Sequence, residues 1–189
     1  MDNFVSQLLL SLDSIKTNFY TALLLLAGFW VIHIVNVLVG YRLNIFGVYP
    51  RHVLGLIGIP CFSFLHGNFS HLFFNSMPLL ILLDFVLING KQQFICTTMS
   101  IMLLSGSAIW LFGRSALHIG ASSLVMGYWS YLLVNAYEHF AVNSLILAIV
   151  CIYYFGGLVL NLFPSGKKVS WEGHVFGFLA GLASVYICH

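Results

Sequence analysis

Charged side chains are nearly absent from this sequence. Asp, Glu, Lys and Arg make up 6% of its 189 residues, whereas a soluble domain has about 25%. Such a chain cannot cover a water-facing surface, and 60% of its residues are hydrophobic. An integral membrane protein is the class that fits. The net charge of +2, with no basic cluster larger than Lys167-Lys168, argues against a nucleic-acid partner.

Paired cysteine motifs are also missing. The four cysteines are scattered and form no CxxC spacing, which argues against a zinc site or a redox motif. Cys96, Cys151 and Cys188 lie in apolar runs, where a free cysteine behaves as a small hydrophobic residue. We therefore expect these three side chains to serve packing.

Long apolar runs, by contrast, recur along most of the chain. A helix needs about 20 apolar residues to cross roughly 30 Å of hydrocarbon. Six runs predict spans, at residues 19–40, 69–89, 93–113, 120–137, 142–163 and 172–188. The connections after the second span are short. The sequence therefore predicts an all-α, polytopic membrane protein with one compact bundle of six transmembrane helices.

Two segments do not read as spans. The start of the chain, residues 1–18, is too short and too interrupted to cross a membrane, and we expect an amphipathic segment lying at the interface. Residues 41–68 contain prolines, arginines and several glycines but stay apolar, which predicts a loop with short helices buried by protein. The division is thus an interfacial segment, 1–18, and a six-helix domain, 19–189.

Polar side chains in a membrane span are costly, so each cluster is a functional candidate. The first cluster is "FLHGNFSHLFFN", with His66, His71 and Asn75. His71 and Asn75 are spaced i, i+4 and so project from one face of the start of a helix. Both side chains can donate hydrogen bonds.

Two further clusters begin the fourth and sixth spans. "HIGASS" places Ser122 after Gly120, and "EGHVFGFLAGL" places His174 on one helix stripe with Gly177 and Gly181. A small-xxx-small stripe lets two helix backbones approach closely. Such contact would bring the Ser122 hydroxyl to the His174 ring, and a histidine-activated serine needs about 2.6–3.2 Å between heavy atoms.

These clusters together supply the parts of an acyl-transfer site. A serine that attacks an amide builds negative charge on the carbonyl oxygen, which needs fixed donors. His71 and Asn75 can supply side-chain donors. The backbone N–H of Ser122 is a third, because N–H groups in a first helical turn lack intrahelical partners.

In this combination the sequence resembles the rhomboid intramembrane serine proteases. That family has a His-xxxx-His-xxx-Asn run, a Gly-x-Ser-Gly motif and a His-xx-Gly-xxx-Gly motif on its second, fourth and sixth helices. His66, His71 and Asn75 match the first motif. Gly120 and Ser122 match the second, and the third is matched by His174, Gly177 and Gly181.

The resemblance implies a serine endopeptidase that cuts transmembrane protein substrates within the lipid bilayer. It implies a Ser122–His174 dyad, an oxyanion hole from His71, Asn75 and the Ser122 N–H, and no metal or other cofactor. His66 would be structural. It also implies a bacterial inner membrane location and a cytoplasmic N-terminus, although five loop cations against two favour the opposite orientation.

Four positions depart from the family pattern. Ser123 follows the nucleophile where the family has glycine, and Met126 replaces an aromatic residue that stacks on the catalytic histidine. Phe62 stands where a further histidine is common, and "GVYPRHVLGL" replaces a Trp-Arg pair in the first loop. The resemblance favours Ser122 as the nucleophile, because it is the third residue of the Gly-x-Ser motif, and Ser123 would point away by about 100° on a helix.

Other functions stay open on the sequence alone. The main alternative is a catalytically inactive rhomboid-like protein that binds transmembrane helices without cutting them. A proton-coupled transporter would show repeated halves and broken helices, which are not visible here. A metalloprotease would need a ligand motif such as HExxH, and none occurs.

Overall fold

The protein is built from helices, as its apolar runs predict. The computed structural model describes residues 2–139, 142–163 and 170–188. Within these ranges the α-helices are α1 Asp2–Leu38, α2 Val53–Gly58, α3 Phe69–Leu87, α4 Lys91–Phe112, α5 Ser122–His139, α6 Val142–Phe155 and α7 Trp171–Ile187. Short 3-10 segments lie at Arg42–Phe46, Phe62–Phe64 and Gly156–Leu162. The predicted all-α class is confirmed.

Three helices are long and apolar enough to cross a membrane by length and composition. They cover Leu12–Leu38, Phe69–Leu87 and Lys91–Phe112, and a shorter apolar helix covers Ser144–Leu160. The helices that carry the serine and histidine motifs, α5 and α7, have 18 and 17 residues, and α5 is the less apolar of the two. Helices that face other helices rather than lipid can carry polar residues. The chain is a polytopic membrane bundle of helices.

The first helix is longer than the predicted first span. Its 37 residues extend over about 55 Å, more than the hydrocarbon thickness of about 30 Å. The predicted boundary between residues 18 and 19 falls inside α1, and the helix continues through it. The boundary is therefore not a break in structure. The interfacial position of residues 1–18 stays a prediction.

Helix α5 lies at the centre of the bundle. It packs most extensively on α7 and also contacts α3, α4 and α6. Its large side chains are almost completely buried, including Leu124, Tyr128 and Tyr131. In a membrane the association of helices depends on close packing and hydrogen bonds, because lipid is as apolar as the side chains. The position of α5 thus fixes the arrangement of its neighbours.

Two glycines of α7 make the closest contact with α5, and we call this contact the glycine seam. A Cβ atom added to Gly177 would collide with the backbone of Ser123. One added to Gly181 would collide with the carbonyl of Gly127 and with the Ser130 hydroxyl. The Ser130 hydroxyl also donates to the Phe178 carbonyl of α7 at 2.7 Å. The predicted close approach of these two helices is confirmed.

The long connection between α1 and α3 is held to the bundle by polar contacts. The Arg51 guanidinium donates to the carbonyls of Leu111 and Gly113 at 3.2 and 2.9 Å. The Trp110 indole donates to the His52 carbonyl at 2.9 Å. These bonds tie the connection to the end of α4, so its short helices sit over the same end of the bundle as the start of α5.

Two of the four cysteines form a cross-link that the sequence did not reveal. Cys96 near the start of α4 and Cys188 after α7 form a disulfide with Cα atoms 5.7 Å apart. The expectation that both serve as packing thiols is therefore wrong. It fails because 92 residues separate them, and only the packing of α4 along α7 brings them together. Cys151 is a buried free thiol, as expected.

Because of the close contact at the glycine seam, one methyl group added at Gly181 should lower the free energy of unfolding. We expect Gly181→Ala to destabilise the protein by about 1–3 kcal/mol, since the new Cβ must displace the α5 backbone. Unfolding in detergent, followed by tryptophan fluorescence against denaturant, measures this.

The matched control is Gly28→Ala on α1, where an added Cβ meets nothing within 4 Å. It should leave stability unchanged or slightly raised, because alanine favours helix. Equal stability of the two variants would contradict the packing argument.

Candidate active site

The three polar clusters meet at one cavity of about 630 Å³. Its walls include Ser122, His174, His71, Asn75 and Met126, which come from α5, α7 and α3. Each of these helices contributes its first turns, so the cavity lies at the end of the bundle where all three begin. The fold therefore brings together the residues that the sequence predicted for nucleophile, base and oxyanion donors.

The turn before α5 can be made only by glycine. Gly120 has φ +124°, a conformation that L side chains rarely adopt. A Cβ atom there would lie 2.6 Å from Cε1 and 2.8 Å from Nε2 of the His71 ring. The Gly120 N–H donates to the Phe62 carbonyl at 2.9 Å, which anchors the turn. The close approach of the His71 ring to Gly120 therefore places the ring beside the residue that lies two positions before Ser122.

The two adjacent serines face different surroundings. Ser122 is partly buried and lines the cavity. Ser123 is 1% exposed, and its hydroxyl lies 3.4 Å from the hydroxyl of Ser63 in the long connection. Ser123 is thus occupied in holding α5 to that connection, and the geometry favours Ser122 as the residue that a substrate would meet.

His174 reaches the cavity from the first turn of α7. Its side chain is 9% exposed. Gly177 lies one turn further on and packs on the Ser123 backbone, so the glycine seam begins immediately below His174. The nearby carboxylate of Glu172 approaches Arg114 at 3.3 Å. Ser122 and His174 are therefore brought to one cavity by backbone contact between their helices.

Asn75 carries an unused donor beside the cavity that it lines. Its Nδ2 is buried and has no hydrogen-bond partner among the described residues. Buried donors of this kind usually require a partner, and the exceptions are often functional. One turn earlier, the His71 N–H donates to the Asn68 side chain at 2.8 Å, a cap that starts α3. The cap fixes the helix turn from which His71 and Asn75 project.

His66 holds the residue next to Ser122. Its Nε2 accepts the Ala121 N–H at 3.2 Å, and its ring centroid is 5.0 Å from that of His71. Complete burial, helped by the neighbouring His71 and His33 rings, lowers the pKa of His66 to about 3. A neutral ring is required for this bond, because a protonated Nε2 could not accept it.

Met126 and Phe62 fill the positions that depart from the family pattern. Met126 is 1% exposed and lines the cavity together with His174. Phe62 is 2% exposed and belongs to the packed cluster under the long connection with Val48 and Ile109. Both positions are therefore filled by buried apolar side chains.

Sequence reasoning missed a second polar cluster next to the cavity. His118 is fully buried and its Nδ1 lies 2.6 Å from the Ser170 hydroxyl, while Arg114 pairs with Glu172. No periodic spacing joins these residues, since they come from two distant segments. The sequence feature that could have identified two of them is their position. His118 lies four residues before Ser122, and Ser170 lies four residues before His174.

Comparison with known proteins identifies the family. The Rhomboid domain family matches residues 50–189, and the chain belongs to that family. An uncharacterized protein of Mycobacterium tuberculosis is 31% identical over 176 residues, which cover 88% of this chain and 73% of the relative. An uncharacterized protein of Mycobacterium leprae is 29% identical over 177 residues, covering 88% and 70%.

The depressed pKa of His66 predicts acid-sensitive stability. Between pH 6.5 and 3 the unfolded chain binds a proton at His66 that the folded chain does not. Stability is therefore complete above pH 6.5 and falls on acidification, by about 2 kcal/mol between pH 6.5 and 5 from this residue. Denaturant unfolding at pH 7, 6 and 5 measures the slope.

His66→Gln should lose less stability over this pH range than the wild type, because glutamine does not titrate. His52→Gln, which replaces an exposed histidine of the same connection, is the matched control for the histidine-to-glutamine change. A His66→Gln slope equal to that of the wild type would contradict the assignment of a neutral, buried His66.

Proposed function

We propose that this protein is an intramembrane serine endopeptidase that hydrolyses peptide bonds in or near transmembrane segments of membrane proteins. The observation that carries the proposal is the shared cavity, which joins Ser122, His174 and a buried, unpartnered amide donor of Asn75. Membership of the rhomboid family supports the same reaction class. The bundle has six spans on this proposal, with α6 and the 3-10 segment after it forming the fifth.

In the proposed reaction His174 first acts as base. It takes the Ser122 hydroxyl proton as the oxygen attacks the scissile carbonyl carbon. Collapse of the tetrahedral intermediate breaks the C–N bond, and His174 returns the proton to the leaving amine. Water then attacks the acyl-enzyme ester with the same histidine as base, which releases the acid and restores Ser122.

The oxyanion is stabilised by donors from two helices. The Asn75 Nδ2 is buried and has no hydrogen-bond partner within the described part of the chain, so it can donate to a new oxygen without breaking a bond seen there. The Ser122 N–H belongs to the first residue of α5 and lacks an intrahelical acceptor. His71, whose ring lies against Gly120, lines the same cavity. Donors that are already in place need no rearrangement in the transition state.

The main alternative is a rhomboid-like protein that binds transmembrane helices without cutting them. The replacement of the usual glycine by Ser123 and of the usual aromatic residue by Met126 motivates it. Both residues are accommodated without displacing Ser122 or His174 from the cavity, which favours the protease. Reaction of Ser122 with a serine-directed phosphonate separates the two functions.

We further propose the inner membrane of a bacterium as the location, with the start of α1 in the cytoplasm. The orientation follows the family resemblance, and the loop charges favour the reverse. The Cys96–Cys188 pair provides a test, because it lies at the end of α7 that is opposite His174. The distance from His174 to Cys188 along α7 is about 21 Å.

The catalytic register is tested by four purified proteins and one model transmembrane substrate. We expect Ser122→Ala and His174→Ala to lower the cleavage rate by at least about a thousandfold, since each removes half of the dyad. Ser123→Ala, the matched control, should keep activity within about threefold, because it loses only the contact with Ser63. Gel-based cleavage and phosphonate labelling measure both.

Loss of activity in Ser123→Ala alone would move the nucleophile by one residue. A wild type that neither cleaves nor reacts with the phosphonate would favour the helix-binding alternative.

The orientation predicts the redox state of Cys96 and Cys188 in cells. Cytoplasmic thiols are kept reduced. If cells are quenched with acid and the protein is then denatured and alkylated, we expect all four cysteines to be modified. The oxidised pair would then form after exposure to an oxidant. Mass spectrometry counts the modified residues, and a reductant-treated sample defines the value of four.

Two modified cysteines in untreated cells, Cys61 and Cys151, would instead place this end in an oxidising compartment. The active site would then face the cytoplasm.

A further inference from the structure

A second Ser–His pair lies beside the cavity and takes no part in the proposed chemistry. His118 and Arg114 belong to the segment between α4 and α5, while Ser170 and Glu172 belong to the start of α7. The pairs His118–Ser170 and Arg114–Glu172 connect these two segments. We call these two contacts the latch.

The donors and acceptors of the first contact follow from its geometry. The His118 Nε2 lies 3.1 Å from the Arg114 carbonyl, which can only accept, so Nε2 carries the proton. The Nδ1 of a neutral ring is then a free acceptor, and the Ser170 hydroxyl donates to it at 2.6 Å. His118 is 1% exposed, and its burial lowers its pKa, which keeps the ring neutral.

Ser170 makes this bond in place of a more common one. It occupies the N-cap position of α7, where a serine side chain normally accepts a backbone N–H of the first turn. Its side chain makes no cap bond here. The hydroxyl is instead directed to His118 across the chain, so the helix start is tied to the α4–α5 segment rather than to itself.

The latch joins the two catalytic segments at matching distances. His118 stands four residues before Ser122, and Ser170 stands four residues before His174. Their hydrogen bond therefore joins the two segments immediately before the proposed catalytic residue of each segment. On the other side of Ser122 and His174, the glycine seam joins the same two helices, because Gly177 packs on the Ser123 backbone.

The second contact strengthens the same connection. Glu172 is 4% exposed and its Oε1 lies 3.3 Å from the Arg114 Nε. The carboxylate is in the first turn of α7, where the helix dipole favours negative charge. His174 follows two residues later, so a shift of Glu172 would move the helix turn that carries the base.

We propose that the latch sets the separation of Ser122 and His174, with His118, Ser170, Arg114 and Glu172 as positioning residues. The proposal rests on the proposed protease function. Proton transfer between a serine and a histidine requires hydrogen-bond distance, and a misplacement of about 1 Å can cost about a hundredfold in rate. The glycine seam holds the helices together, and the latch fixes how their first turns face each other.

The test compares two serines of the same helix. Ser170→Ala removes the hydrogen bond to His118, and Ser184→Ala removes a fully buried hydroxyl that bonds only the Gly181 carbonyl within α7. We expect Ser170→Ala to lower kcat at least about tenfold with KM unchanged. Ser184→Ala should match the wild type. Ser170→Thr, which keeps the hydroxyl, should recover most of the lost rate.

Glu172→Gln provides an independent variant, since it keeps the shape of the side chain and removes its charge. It should lower kcat in the same direction, and thermal unfolding of each variant in detergent establishes that the protein is folded. The rate of phosphonate labelling at Ser122 should fall in parallel with kcat, because both depend on activation by His174.

Several outcomes would overturn the latch. Ser170→Ala with wild-type kcat would show that the bond does not position the dyad. A raised KM with unchanged kcat would make Ser170 a substrate contact instead, since it lines the cavity. Failure of the protease proposal is distinct, because there the wild type itself neither cleaves nor labels, and the catalytic role of the latch falls with it.

Discussion

The close contact between the backbones of α5 and α7 is the constraint on which the rest of the site depends. Gly177 and Gly181 leave no room for a side chain where they meet Ser123 and Gly127. Apolar side chains gain little from leaving lipid for a helix interface, so the gain in packing must come from such close approach. The same approach carries Ser122 and His174 to one cavity, so the association of these helices and the assembly of the site have one physical cause.

Several of the few buried polar residues make an identifiable hydrogen bond. His66 holds the Ala121 N–H, Ser123 meets Ser63, and His118 meets Ser170. In a medium without water, an unpaired polar group costs more than it does at a soluble surface. The Asn75 Nδ2 is one of several buried polar atoms without a hydrogen-bond partner among the described residues, and it belongs to a residue that lines the cavity. A group left in this state is suited to an oxygen that becomes negative only during a reaction.

Much of the site could be predicted from short spacings because they follow helix geometry. The i, i+4 relation of His71 and Asn75 and the i, i+3, i+7 stripe of His174, Gly177 and Gly181 place these residues on common faces before any tertiary contact forms. The disulfide and the latch could not be predicted in this way. Cys96 and Cys188 are 92 residues apart, and His118 and Ser170 belong to different segments with no shared period. Helix α1 continues through the boundary expected at residue 18, since a change in amphipathic character does not have to interrupt the hydrogen bonds of a helix.

The sequence by itself determined that this protein lies in a membrane, that it is helical, and that a serine, two histidines and an asparagine are set on helix faces able to meet. Composition and local periodicity carry that information because they act within one helix. Only the tertiary structure decided which of the two adjacent serines faces the cavity, and that a disulfide joins the start of α4 to the end of α7. It also decided that His118 and Ser170 form a hydrogen bond between the segments that precede Ser122 and His174. These features depend on the relative rotation and depth of helices, which are fixed by side-chain packing between segments far apart in the chain.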